Sequence, residues 1–223
     1  MKKRKNALIL VDLQNDFFPG GALPVSKGNE IIPIINKLVS YPFDHVLATK
    51  DWHPPTHGSF AKTHAKQPGE RIKLAGLEQI LWPVHCIQET KGAEFSPGWD
   101  ARNVEKIFYK GTDPLVDSYS TFFDNGHIKS TGLADYLHSK NVKDVYIAGL
   151  ATDYCVKYSV LDALELGFKV YVVVDGCRGV DLKEGDSRRA MEEVHQKGAE
   201  MLSSVKVLEK LEDSLIESRG GGI

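Results

Sequence analysis

The sequence has no Cys-x-x-Cys pair, and its three cysteines, Cys86, Cys155 and Cys177, are an odd number. This argues against a redox dithiol or a disulfide framework and for a reducing, cytoplasmic compartment. There is no apolar run long enough to cross a bilayer and no signal-peptide core, so no membrane association is expected. Excess charge is also lacking. A formal net charge of -2 at pH 7 gives no electrostatic basis for nucleic-acid binding, and the basic start Met1–Lys5 is too short to supply one. Internal repeats and Pro/Gly/Ser-rich linkers are missing, and the only biased segment is the Gly220–Gly222 tail. The 223 residues therefore read as one domain, 1–223, long enough for a sizeable core. A homo-oligomer is left open.

What is present is an alternation of buried-strand and helix patterns. Asn6–Leu13 is a near-continuous apolar run, as in a central parallel strand buried on both faces, and it ends in Asp12. A helix pattern follows from a cap at Asn29 through Ile32, Ile35, Leu38 and Val39. Further strands are expected at His45–Thr49, Val104–Tyr109, Asp144–Leu150, Lys169–Val174 and Val205–Leu208. Further helices are expected at Gly132–Ser139, from Val156 to Leu166, at Ser187–Lys197 and at Leu211–Ser218. Such alternation predicts an α/β fold: a three-layer, doubly wound, mostly parallel sheet with helices on both faces. Between about 51 and 103 the chain is mostly Gly, Pro, His and charged residues. A stretch this long with little regular structure is usually functional, so it reads as a site-forming insertion.

The segment Gly149-Leu-Ala-Thr-Asp-Tyr-Cys-Val156 joins a strand to a helix. With Thr152 or Asp153 as N-cap, Cys155 falls in the first helical turn, where free N–H groups and the helix dipole favour a thiolate. A buried cysteine acting as a small hydrophobe is the competing interpretation. The carboxyl ends of the strands, however, are where open parallel sheets bind ligands. Asp12, Asp51 and Lys110 come to the same rim. A carboxylate, an ammonium and a thiol there form a nucleophilic set, although alone Asp12 could be a turn residue and Lys110 a snorkelling surface lysine. Asp51-x-His53 could chelate, with His57 and His85 in the same insertion. These donors suit zinc, manganese or iron, but solvated loop histidines would look the same in sequence.

Six stretches, in this order, carry a resemblance over nearly the whole chain: Asp12-Leu-Gln-Asn-Asp-Phe17, Asp51-Trp-His-Pro-Pro-Thr-His-Gly-Ser-Phe60, Trp82-Pro-Val-His-Cys86, Tyr109-Lys-Gly111, Gly149–Val156 and Asp175-Gly-Cys-Arg-Gly179. Together they resemble the nicotinamidases of the isochorismatase-like cysteine hydrolase superfamily. The resemblance implies hydrolysis of nicotinamide, with pyrazinamide as an analogue, through a thioester. It implies Asp12 as base, Lys110 as its charge-stabilising partner and Cys155 as nucleophile. It also implies a cis bond before Ala151, which would aim the Ala151 and Cys155 amides at an oxyanion. One divalent metal ion, zinc or else iron or manganese, would be held by Asp51, His53 and His85, with His57 a variable fourth position among relatives. Phe17 and Trp82 would sandwich the pyridine ring, with Tyr119 and Leu150 completing the pocket. The 113–125 loop, which varies in length among relatives, leaves the lid unspecified. An amidase acting on a carbamoyl or ureido compound would keep Asp12, Lys110 and Cys155 but not the metal ligands, and a non-catalytic binding module would need neither.

Overall fold

The computed structural model describes residues 4–220; Met1–Lys3 of the basic start and Gly221–Gly222 of the glycine tail lie outside the described residues. Six parallel strands form the central sheet: β1 (Lys5–Val11), β2 (His45–Asp51), β5 (Lys106–Lys110), β6 (Val142–Leu150), β7 (Lys169–Arg178) and β8 (Glu200–Leu202), in the order β5-β2-β1-β6-β7-β8. Alternate residues of β1 point to opposite faces, and both faces are dry. Leu8 and Leu10 join the core on one side, while Ala7, Ile9 and Val11 join the core on the other. Helices α1 (Ile32–Val39) and α5 (Ser204–Gly220) cover the first side through Ile35, Leu38, Val207, Leu208 and Leu211. The second side is covered by α2 (Leu133–Ser139), α3 (Lys157–Glu165) and α4 (Asp186–Gln196) through Leu133, Leu137, Val160, Ala163 and Val194. This is the three-layer arrangement expected from the sequence. Among the described residues, no helix is long and apolar enough to cross a membrane.

The strand order runs outward in both directions from the β1–β6 pair, which makes that pair the topological switch point. Backbones approach closely there. Gly149, at φ 132°, lies against β1 so tightly that an added Cβ would sit 2.2 Å from the Val11 carbonyl oxygen. Gly149→Ala therefore combines a disfavoured φ with a backbone clash, a cost of about 3 kcal/mol. For a chain of this size the melting temperature should drop by roughly 6–12 °C. Thermal unfolding checks this, and an unshifted midpoint would contradict the packing described.

Several local expectations are corrected. Residues 205–208 are helical rather than a strand, because Val207, Leu208 and Leu211 recur at helical spacing on the core face; the edge strand is Glu200–Leu202. Ser203 opens α5, its hydroxyl accepting from the Lys206 N–H at 3.4 Å. Strand β7 continues through Arg178, past the turn expected at Asp175, because Cys177 and Arg178 pair with Gly149 and Leu150 after a register shift. Asn29 caps nothing; it sits within a 3-10 turn, Gly28–Ile31, that leads into α1. The insertion contains a hairpin, β3 (Arg71–Leu74) and β4 (Leu77–Ile80), with positive φ at both Ala75 and Gly76. Its signal, two alternating runs flanking Ala-Gly, was present but lies in a charged stretch that buries little.

Candidate active site

Asp12 follows directly on β1, with φ 52°, and is fully buried. Its Oδ1 accepts from the Thr49 hydroxyl at 2.7 Å, and its backbone N–H donates back to Thr49 Oγ1 at 3.2 Å, so β2 fixes the carboxylate. Lys110, the last residue of β5, is equally buried. Its Nζ donates to the Asp51 carboxylate and to the Ser118 carbonyl at 3.0 Å, and it lies 2.9 Å from Asp12 Oδ2 and 3.3 Å from Cys155 Sγ. Thus the three strand ends and the post-β6 turn deliver one connected cluster.

The turn carrying Cys155 differs from a simple capped helix. Residues Thr152–Val156 form a π-helical turn ahead of α3, with Val156 N–H donating to the Ala151 carbonyl at 3.0 Å. Neither Thr152 nor Asp153 is the N-cap; that position is Ala151. The Asp153 carboxylate instead accepts from the Val180 and Asp181 N–H groups at 2.9 and 2.8 Å, anchoring the turn to the segment after β7. The Leu150–Ala151 peptide bond is cis.

Electrostatics in the cluster follow from burial and charge. Burial pushes the Cys155 thiol well above its ordinary range, and the nearby Asp12 and Asp51 charges add to this while Lys110 opposes it. The Asp12 carboxyl is also raised by burial, with Lys110 only partly offsetting it. Burial works against the Lys110 charge, but Asp12 and Asp51 outweigh it and keep the ammonium protonated. At rest the proton therefore stays on sulfur beside a carboxylate of raised basicity.

Beside this cluster, Asp51, His53 and His85 bring one donor atom each to within 4.8 Å of one another, all three residues buried. His53 Nδ1 faces the Gly111 carbonyl at 2.9 Å and His85 Nδ1 faces the Pro83 carbonyl at 2.8 Å. A carbonyl can only accept, so in the neutral rings both protons sit on Nδ1 and both Nε2 lone pairs are free. Each Nε2 is 3.6 Å from Asp51 Oδ2. Two imidazole lone pairs and a carboxylate oxygen converging in a buried site fit a divalent metal ion. His57 is arranged otherwise. Its Nδ1 accepts from the Ser59 N–H at 3.2 Å, which leaves the proton on a buried Nε2 without a partner. It groups with His53 and Asp117 rather than with Asp51.

A cavity opens over both clusters, and Phe17, Trp82, Tyr119, Ala151 and Cys155 line it together with Asp51, His53 and His85. Trp82 Nε1 donates to the Tyr119 hydroxyl at 3.1 Å, and Phe17 packs edge-on against His85. Leu150, expected on the pocket wall, is instead fully buried in the core beneath it. Sequence reasoning missed Leu23, Asp117, Tyr154 and Val180 on the cavity wall. Tyr154 adjoins the nucleophile in a quoted motif and could have been found there; the other three lie in loops without a distinguishing pattern. Also missed was Gln14, whose amide accepts from the Asp51 N–H at 2.8 Å and donates to the Asp51 carbonyl at 2.7 Å. It holds the strand end that joins both clusters.

The isochorismatase-domain family model matches residues 6–205. The chain belongs to the isochorismatase family. Within that family it is 47% identical over 196 residues to the nicotinamidase of Escherichia coli, covering 86% of this chain and 92% of the relative. A solved nicotinamidase and pyrazinamidase from Acinetobacter baumanii superposes with a TM-score of 0.88 at 42% identity, covering 93% of this chain and all of the other. The pyrazinamidase of Pyrococcus horikoshii, solved in complex with zinc, superposes with a TM-score of 0.73 at 38% identity, covering 89% and 99% of the two chains.

Proposed function

We infer that this isochorismatase-family chain is a metal-dependent cysteine amidohydrolase that converts nicotinamide to nicotinate and ammonia, and that it also accepts pyrazinamide. The observation carrying this reading is the placement of the Cys155 thiol 3.3 Å from the Lys110 ammonium, itself 2.9 Å from Asp12, at the floor of a cavity shared with Asp51, His53 and His85. Similarity to the nicotinamidases supports the same substrate. An amidase for carbamoyl compounds would not need the second cluster.

In the reaction Asp12 takes the Cys155 proton, and the sulfur adds to the carboxamide carbon. Backbone N–H groups of Ala151 and Cys155 receive the oxyanion, while Lys110 balances the charge of Asp12 and Asp51. Asp12 then gives its proton to the leaving nitrogen, the C–N bond breaks, and ammonia departs from a thioester on Cys155. Water adds to the thioester as Asp12 takes its proton. Collapse of that adduct breaks the C–S bond, Asp12 returns its proton to sulfur, and the product leaves as nicotinate, its carboxyl proton passing to ammonia or solvent. Phe17 and Trp82 hold the ring between them, and Tyr119 closes one side. Asp51, His53 and His85 would hold the ion, with zinc the best match to two imidazoles and a carboxylate. When bound, it supplies a Lewis-acidic position for the pyridine nitrogen. His57 stands outside that ligand set, so His57→Ala should cost less metal than His53→Ala.

We take residues 1–223 as one domain whose insertion, about 51–103, builds the site. Three free, buried cysteines are consistent with a cytoplasmic setting. The substrate series tests this function. Benzamide has the carboxamide and shape of nicotinamide but no ring nitrogen, so its kcat/KM should be at least about 100-fold lower. Pyrazinamide keeps a nitrogen at the matching position and should react; isonicotinamide displaces it and should react slowly. Equal values for nicotinamide and benzamide would show that the ring nitrogen is not read.

A further inference from the structure

A second convergence of donors lies away from the active site. His127 sits on the long loop between β5 and α2, and Asp162 and Glu165 lie one helical turn apart on α3. One donor atom from each comes within 4.8 Å of the other two. His127 Nε2 is already 3.2 Å from Asp162 Oδ1. Tetrahedral geometry sets about 3.3 Å between two donors that are each about 2 Å from zinc. The loop backbone holds His127 in place: its N–H donates to the Asp124 carbonyl at 3.0 Å, its φ is 54°, and its ring stacks on Phe123 at 5.0 Å.

Asp162 itself points to a ligand. It is 6% exposed, and its Oδ2 is buried without any hydrogen-bond partner. A buried carboxylate oxygen left unpaired costs stability unless something cationic reaches it. The His127 ring reaches only Oδ1 and leaves Oδ2 unpaired, whereas a divalent ion can engage either carboxylate oxygen. The adjacent cavity, lined by Tyr119, Asn125, His127, Tyr158 and Asp162, gives an ion access from solvent.

We propose that His127, Asp162 and Glu165 form a second divalent-cation site that fastens the β5–α2 loop to α3, with zinc as the best-matched ion. An imidazole and two carboxylates leave a fourth position for water. Occupancy would tie the loop bearing Tyr119 to the helix that continues from Cys155. None of the three ligands belongs to the active-site cluster, so the site does not depend on the identity of the substrate.

Equilibrium dialysis of the holoenzyme against zinc, followed by elemental analysis, tests the proposal. Wild-type protein should take up a second zinc per chain beyond its active-site ion. His127→Ala and Glu165→Gln each remove an exposed ligand, so folding is preserved. Both should weaken the second site by at least about tenfold while leaving the first occupied. Hydrolysis of nicotinamide without added zinc should be unchanged in both variants and serves as the check on folding. A single zinc per chain in the wild type would overturn the proposal. So would a second zinc that either variant binds as tightly as the wild type.

Discussion

Cys155→Ala should lower turnover of nicotinamide by at least about 10⁴-fold, because the group placed to form the thioester is removed. The loss should fall on kcat rather than on stability. Cys155 is 7% exposed, and replacing its sulfur by hydrogen leaves a small void at the edge of an otherwise intact core. Metal content and the thermal midpoint should therefore stay near wild type, and single-turnover assays should show no acyl-enzyme. Asp12→Asn tests the same step from the other side. Without a base the proton stays on a thiol that burial already holds well above its ordinary range, so a loss of about 10²–10⁴-fold is expected. Wild-type turnover by either variant would mean that another nucleophile or another base carries the reaction.

His53→Ala and His85→Ala should each lose the bound metal and at least about 10³-fold in nicotinamide hydrolysis together. Each deletes one of two Nε2 lone pairs facing Asp51 and leaves that carboxylate with Lys110 as its main counter-charge. Asp51 is the shared element: one carboxylate oxygen faces the imidazoles and the other faces the ammonium. Disturbance of the metal cluster should thus reach the nucleophile cluster through Lys110. Elemental analysis with parallel ammonia assays checks the pair. Loss of metal with full activity would separate metal binding from catalysis.

The sequence reading was strongest where one local signal sufficed. The buried-strand pattern through Leu150 placed the end of β6 correctly, the apolar run Asn6–Leu13 overshot the end of β1 at Val11 by two residues, and parallel-sheet topology brought the two ends together. It was weaker where tertiary partners decide the outcome. Thr152 and Asp153 have the chemistry of N-caps, but Asp153 is drawn to the Val180 and Asp181 amides, a contact no local window contains. Leu150 adjoins the cis bond and still faces the core, since the sheet face on which a residue ends depends on register. The helical start of α5 was masked by β-branched valines at 205 and 207, whose propensity yields to core packing. The role of Gln14 was hidden for a related reason: its partner, the Asp51 backbone, is 37 residues away in sequence.

The most direct test is ammonia and nicotinate release from nicotinamide by the purified protein, followed with and without a chelator and after adding zinc back. Equal amounts of the two products, loss of both on chelation and recovery with zinc are the expected results. Failure to release ammonia from nicotinamide in metal-loaded protein would contradict the assigned activity, and release that a chelator leaves unchanged would contradict its dependence on the Asp51, His53 and His85 site.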